Sequence, residues 1–180
     1  MSYSIVHVHE KDLFTHHIID QINTIKKECN GKKIVFTASC FDLLHPGHIK
    51  MLEDAKRQGD ILVIGLHTDP TINRNNKNSP IQSFEERKIM IQSIKYIDYV
   101  IDYATEDDLY KILVHLKPDI RVLGSDWKGK EYTGYELSIP IYFHNRDHDW
   151  STSGLRTRVM MVEVKSKYPH IFNTISTKYL

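Results

Sequence analysis

Residues Cys40 to Leu52 read CFDLLHPGHIKML. A short apolar, β-branched run, Lys33 to Thr37 (KIVFT), precedes them, and a helical pattern, His48 to Arg57 (HIKMLEDAKR), follows. Two histidines, His45 and His48, therefore bracket Pro46-Gly47 where a strand's exit loop becomes a helix. Proline suits a first helical turn, where its missing N–H is not needed. Glycine lets a ligand come close to the backbone. The unpaired N–H groups and positive dipole end of a helix start bind phosphate, and histidines there can donate hydrogen bonds to phosphoryl oxygens as charge grows in a transition state. The plainer readings are one capping and one half-buried core histidine, or a metal-chelating His-x-x-His. No carboxylate or cysteine cluster elsewhere supplies obvious further metal ligands.

Working outward, strands and helices alternate. Ile61 to Leu66 (ILVIGL), Tyr99 to Tyr103, Ile120 to Leu123 (IRVL) and Ile139 to Phe143 (IPIYF) read as further buried strands. Phe84 to Tyr96, with Ser83 as N-cap, Glu106 to Leu116, and Ser153 to Lys165 read as helices. Asp69 to Ser83 is a polar loop. Strand-helix alternation predicts an α/β, Rossmann-like doubly wound parallel sheet with helices on both faces, which binds ligands beyond the carboxyl ends of its strands. The first strand's exit loop, CFDLLHPGH, is in that place. Leu13, Phe14, His17, Ile18, Ile22 and Ile25 share one helical face, so residues 1–31 are expected to be an N-terminal helical extension packing on the core or a partner chain. Residues 32–166 would form the ligand-binding α/β domain and 167–180 a C-terminal tail.

The chain has 180 residues, enough for one domain with a sizeable core. A formal net charge of +1 gives no footprint for nucleic acid or an anionic membrane. Cys29 and Cys40 have neither metal nor disulfide spacing, which fits a reducing, cytoplasmic setting. No apolar run reaches spanning length, and the N-terminus lacks a basic start followed by an apolar stretch.

Two more segments carry chemistry. Arg146 to Arg156 reads RDHDWSTSGLR; one of Ser151, Thr152 and Ser153 suits an N-cap, and the spare hydroxyls could hold a second part of a polyphosphate. Gly124 to Lys130 reads GSDWKGK, the spacing of a P-loop, but Glu131 stands where the magnesium-binding Ser or Thr belongs. Its place after a strand suggests instead a base- or substrate-contacting loop. His7, His9, His16 and His17 read as surface or half-core residues, and Cys40 as a structural thiol rather than a nucleophile.

In order and register, CFDLLHPGHIKMLEDAKRQGD, EERKIMIQSIKYIDYVI, GSDWKGK and RDHDWSTS resemble the signatures of the cytidylyltransferase-like branch of the HxGH nucleotidyltransferases, over roughly Lys33 to Val159. Within that branch they are similar to those of glycerol-3-phosphate cytidylyltransferases. The resemblance implies transfer of CMP from CTP to a phosphorylated small alcohol or polyol, giving a CDP-alcohol and pyrophosphate in a single in-line displacement. His45, His48, Lys50 and Arg146 would be catalytic. Ser39, Cys40, Phe41, Asp42, Gly47, Asp126, Trp127, Ser151, Thr152 and Ser153 would hold the nucleotide and its phosphates. Lys77, Arg87 and Lys95 would hold the acceptor. Mg²⁺ would arrive on the triphosphate rather than in a resident metal site, and the protein would be a homodimer with no nucleic-acid or membrane partner. The departures are Ser39 where the family usually has Gly, and Asp149, Trp150 and Ser153 in the last signature. The 69–87 loop resembles that of phosphoethanolamine and sugar-phosphate relatives. Heptose-phosphate adenylyltransferases share the first signature but usually lack an arginine at the position of Arg146, which favours CTP. A catalytically silent nucleotide-binding module is the alternative of another class.

Overall fold

The computed structural model describes residues 10–72 and 78–172, with side chains from 16 onward. Five strands, β1 (Ile34–Ser39), β2 (Ile61–His67), β3 (Tyr99–Tyr103), β4 (Ile120–Gly124) and β5 (Ile141–His144), alternate with helices α1 (Glu10–Glu28), α2 (Pro46–Lys56), α3 (Phe84–Gln92), α4 (Glu106–Leu116) and α5 (Thr152–Lys167). The sheet order is β3-β2-β1-β4-β5 and every pairing is parallel. This is the expected doubly wound α/β sheet.

The two sheet faces are legible residue by residue in β2, which is buried throughout. Ile61 and Val63 join a core with Ile18, Ile22 and Ile25 of α1 and Leu109, Ile112, Leu113 and Leu116 of α4. Leu62, Ile64 and Leu66 face the other way, toward Leu52 and Ala55 of α2 and Ile91 of α3. A period of two thus splits one apolar run between two helical layers. The N-terminal helix belongs to this core: Ile18, Ile22 and Ile25 are at most 4% exposed, and each such burial contributes about 1.5–3 kcal/mol. Of the two expected places for this apolar face, the core or a partner chain, it takes the core, packing on α4 and β3. Leu13, Phe14, Lys77, His7 and His9 lie outside the residues whose side chains are described.

Some boundaries move for local reasons. α2 starts at Pro46, with His45 itself as N-cap. α3 has the expected Ser83 cap, completed into a capping box by Glu86, but ends at Gln92, four residues early. There the Ser93 hydroxyl donates to the Ile89 carbonyl (2.8 Å) and Ile94 and Ile97 close tighter turns. β5 begins after Pro140, which has no N–H for the ladder and offers its carbonyl to Arg121 N (2.8 Å). That shift carries the strand to His144, at the end of the sheet where the site forms.

The sheet's switch point lies between β1 and β4. β1 pairs with β2 over six residues, but with β4 only at Val35↔Ile120 and Phe36↔Arg121. Beyond Phe36 the two strands part, opening a cleft at their carboxyl ends, where doubly wound folds take ligands.

Candidate active site

Two lobes fill that cleft, of about 350 and 260 Å³. Ser39, His48, Trp127 and Thr152 line both, so the lobes meet at a seam between β1, α2, the turn after β4, and the start of α5. Gly47, Asp126, His144, Arg146, His148 and Ser151 line the smaller lobe on the β4-β5 side. Phe41, Asp42, His67, Arg121, Ser153 and Arg156 line the larger lobe on the β1-β2 side.

At the seam the first signature is rigidly built. Nδ1 of His45 accepts the Gly47 N–H (3.1 Å), capping α2. A neutral His45 consequently carries its proton on Nε2, which lies 3.5 Å from Thr152 Oγ1 at the start of α5. The His45 and His48 rings stack at 3.9 Å and 22°, and Phe41 meets His48 edge-on at 5.4 Å. A Cβ on residue 47 would stand 2.7 Å from the His148 ring and 3.0 Å from that of His45, so glycine is required by the imidazoles as much as by any ligand. Phe41 and Leu43 both take left-handed backbone (φ 52° and 47°), a conformation that costs non-glycine residues about 1–3 kcal/mol each. Asp42 between them holds the turn: its carboxylate accepts the N–H groups of Ile81 and Gln82 (3.0–3.1 Å), and Leu43 N–H donates to Gln82 Oε1 (2.7 Å). Ser39 completes β1 opposite Leu66, with ordinary extended backbone.

The three hydroxyls of the last signature divide their work. Ser151 is the N-cap, accepting Gly154 N–H at 3.0 Å. Thr152 donates to the Asp42 carbonyl (3.2 Å), tying the two signatures together. Ser153 is exposed on the larger lobe. Two helix N-termini, those of α2 and α5, thus converge on one seam, an arrangement suited to a polyphosphate.

Of the other expected residues, Arg146 sits exposed on the smaller lobe, donating to the Trp150 carbonyl (3.3 Å). Asp126 and Trp127 occupy a 3-10 turn directly after β4. Lys50 lines neither lobe; it stands at the rim, 3.6 Å from Asp147 and 5.3 Å over the Trp150 ring. Cys40 lines the larger lobe, where burial pushes its thiol pKa up, against a nucleophilic role.

Two expected acceptor contacts are placed elsewhere. Arg87 is 1% exposed. Its guanidinium donates to the carbonyls of Cys40 (2.8 Å), His67 (2.7 Å), Thr68 (2.5 Å) and Gln82 (3.3 Å), strapping the ends of β1 and β2 together beneath the cleft. Its donors are used by backbone, so it positions the site rather than meeting a ligand. Lys95 follows α3 in the turn feeding β3's amino end, over the Tyr96 ring (5.0 Å), at the opposite edge of the sheet. Sequence reasoning did not single out Arg121, His144, His148 or Arg156. Arg121 was visible as a lone charge inside the apolar run IRVL, and His148 and Arg156 lay within the quoted RDHDWSTSGLR. His144 is fixed by Asp54 of α2, 2.7 Å from its Nδ1.

The electrostatics are one-sided. Burial, followed by the neighbouring His45 and Arg146, lowers the His48 pKa from 6.5 to about 3, and burial with Arg146, His148 and Arg158 lowers that of His45. Both rings are therefore neutral at pH 7 in the ligand-free site. The stability consequence has a definite sign. Below about pH 6.5 the unfolded chain protonates His48 while the folded chain does not, so stability falls with falling pH down to about 3, by up to about 1.4 kcal/mol per pH unit. Urea unfolding at pH 7, 5.5 and 4.5 is expected to show the stability gap between wild type and His48→Gln shift against wild type as pH falls; a pH-independent gap would contradict a neutral, buried His48.

No group of three or more His, Cys, Asp or Glu side chains suited to a metal ion occurs among the described residues, and no described helix is long and apolar enough to cross a membrane.

The cytidylyltransferase-like family profile matches residues 36–167, from β1 to the end of α5. The chain belongs to the cytidylyltransferase-like family. It is 34% identical over 142 residues to the bifunctional protein HldE of Campylobacter concisus, and 41% identical over 133 residues to that of Helicobacter pylori. These stretches cover 78% and 73% of this chain but only 30% and 28% of the relatives. Among solved structures it resembles a lipopolysaccharide core biosynthesis protein from Thermoplasma volcanium (TM-score 0.54, 32% identity, 66% of this chain and all of that one). It also shares the fold of pantoate-β-alanine ligase from Francisella tularensis (TM-score 0.54, 15% identity, 88% and 83% covered).

Proposed function

We propose that the protein transfers CMP from CTP to a phosphorylated polyol or sugar. The observation that carries this is the seam: two neutral stacked imidazoles and two helix N-termini stand where the lobes for two ligands join. With the triphosphate across the seam and the base in the smaller lobe near Asp126, Trp127 and Arg146, an acceptor phosphate in the larger lobe approaches the α-phosphorus in line. Its oxygen forms the new P–O bond, the bond to the bridging α-β oxygen breaks, and pyrophosphate leaves. The acceptor phosphate is already ionised, so a strong general base is not needed. His45 Nε2–H and His48 donate to oxygens whose charge grows in the transition state, and holding both phosphates at the seam supplies proximity.

The Asp42 carboxylate is committed to backbone N–H groups, and Asp126 on the smaller lobe has no second acidic group beside it among the described lining residues. The residues present therefore suit Mg²⁺ arriving on the triphosphate, where it neutralises phosphate charge. A second copy of the chain is the expected partner, with Val159, Met160 and Val162 of α5 exposed and available to it.

An ATP donor with a sugar phosphate is the second reading. It is favoured by the likeness to a lipopolysaccharide core biosynthesis protein and by the heptose-phosphate adenylyltransferases that share the first signature. Incubating the protein with Mg²⁺, each of the four NTPs and a panel of phosphorylated acceptors, with pyrophosphate as readout, tests both readings. Release with CTP and glycerol 3-phosphate or a sugar phosphate is expected. Release with ATP alone would replace the first reading by the second, and CTP binding without any release would leave a nucleotide-binding module instead.

A further inference from the structure

Arg121 is a buried cation with an unused donor. It is 4% exposed, inside β4, and lines the larger lobe. One guanidinium nitrogen donates to the Thr133 carbonyl and the group lies over the Tyr132 ring at 5.2 Å, but Nε–H has no acceptor. Buried guanidinium donors rarely stay unmatched, because the lost hydration is returned only by a partner. Its depth is set by register: Arg121 pairs with Phe36, three residues before Ser39 at the seam. At about 3.3 Å per residue its Cα lies roughly 10 Å below the phosphate-binding level, so its side chain meets the far end of an acceptor rather than its phosphate.

The rest of the lobe narrows what that far end is. Asp42 is the one carboxylate among the described residues lining it, and its oxygens are held by Ile81 and Gln82. Arg156 stands 3.9 Å from the Asp42 carboxylate, so these two lining charges offset, and Arg121, with Glu106 near it but outside the lining, is the remaining lining cation. Two of the aromatic rings in the lining are already covered, since Arg121 lies over Tyr132 and His67 stacks on Tyr103 at 4.5 Å; Phe41 and Trp127 line the lobe as well. An amino-alcohol phosphate would bring a cation to this wall unpaired, whereas a polyhydroxylated phosphate ester brings acceptor oxygens.

Resting on the transfer reaction proposed above, we propose that the larger lobe is the acceptor site, that it selects polyhydroxylated phosphate esters against amino-alcohol phosphates, and that Arg121 reads an acceptor hydroxyl through Nε–H. The test uses the full chain and the donor nucleotide that supports turnover. Steady-state kinetics compare glycerol 3-phosphate and a sugar 1-phosphate with phosphoethanolamine, phosphocholine and n-propyl phosphate, which lacks the hydroxyls. At least one polyhydroxylated ester is expected to exceed all three others by about tenfold or more in kcat/KM, as a site built around a polar partner discriminates against analogues lacking it. Arg121→Met is expected to raise KM for that ester about tenfold, leave KM for the nucleotide within about twofold, and shrink the preference over n-propyl phosphate. Preference for an amino-alcohol phosphate overturns the proposal, as does n-propyl phosphate matching the hydroxylated esters in wild type, a comparison that stands even if the variant does not fold. A folded Arg121→Met with unchanged acceptor KM overturns the role of Arg121. These results leave the transfer reaction intact; only failure of every nucleotide and acceptor to release pyrophosphate removes both together.

Discussion

Replacing Arg87 by alanine is expected to lower stability by about 3–5 kcal/mol, near the top of the range for a single substitution. The guanidinium supplies the donors for the carbonyls of Cys40, His67, Thr68 and Gln82, and a buried polar group left without its partner costs about 1–3 kcal/mol. Water entering the vacated space returns part of the sum, which is why the expected loss is below four full penalties. For a chain this size each kcal/mol lowers Tm by roughly 2–4 °C, so thermal unfolding should shift by about 6–20 °C. Arg87→Lys should recover little, because one ammonium cannot reproduce a planar fork that reaches several carbonyls. Urea unfolding of the two variants checks this. A loss below about 1 kcal/mol would mean that the strap is not structural and that Arg87 is free to serve a ligand.

The second large effect is catalytic. His48→Ala is expected to reduce kcat by about 10²–10³-fold while the dissociation constant for the nucleotide changes less than about tenfold, by analogy with removing one preorganised donor from a developing oxyanion. His48 is half-buried between His45 and Phe41, and its Nδ1 has no partner in the ligand-free protein, so the ring is held by stacking and keeps hydrogen-bonding capacity for the reaction. An unchanged turnover number would remove His48 from the mechanism. His45→Ala is a less clean probe, because His45 also caps α2 and capping losses of about 1 kcal/mol would accompany any catalytic one.

The strand-helix alternation was legible because each layer writes its period into the chain. The run ILVIGL in β2 shows burial on both faces, and Ile18, Ile22 and Ile25 show the helical face that α1 turns to α4. Much of the seam was legible too: His45, His48, Trp127 and Thr152 come from segments quoted for their chemistry, Ser39 stands just upstream of the first of them, and the fold brings them to one cleft. Side-chain direction was not legible. Arg87 and Lys95 share one sequence signature, but the first turns inward onto carbonyls and the second leaves at the far edge of the sheet. A cation's partners come from segments distant in the chain, and residue type alone does not distinguish a phosphate from a ring of backbone oxygens. Arg121 escaped notice for the same reason: its value lies in a cavity that exists only once β1 and β4 part.

The central claim is that the α-phosphoryl group passes from a nucleoside triphosphate to an acceptor phosphate at the seam. The most direct measurement follows CTP labelled at its α-phosphorus, with Mg²⁺ and the preferred acceptor. Label appearing in a product that contains the acceptor, in step with unlabelled pyrophosphate and suppressed in His48→Ala, is the expected result. Label staying in CTP, or leaving as free CMP whether or not an acceptor is present, would contradict it.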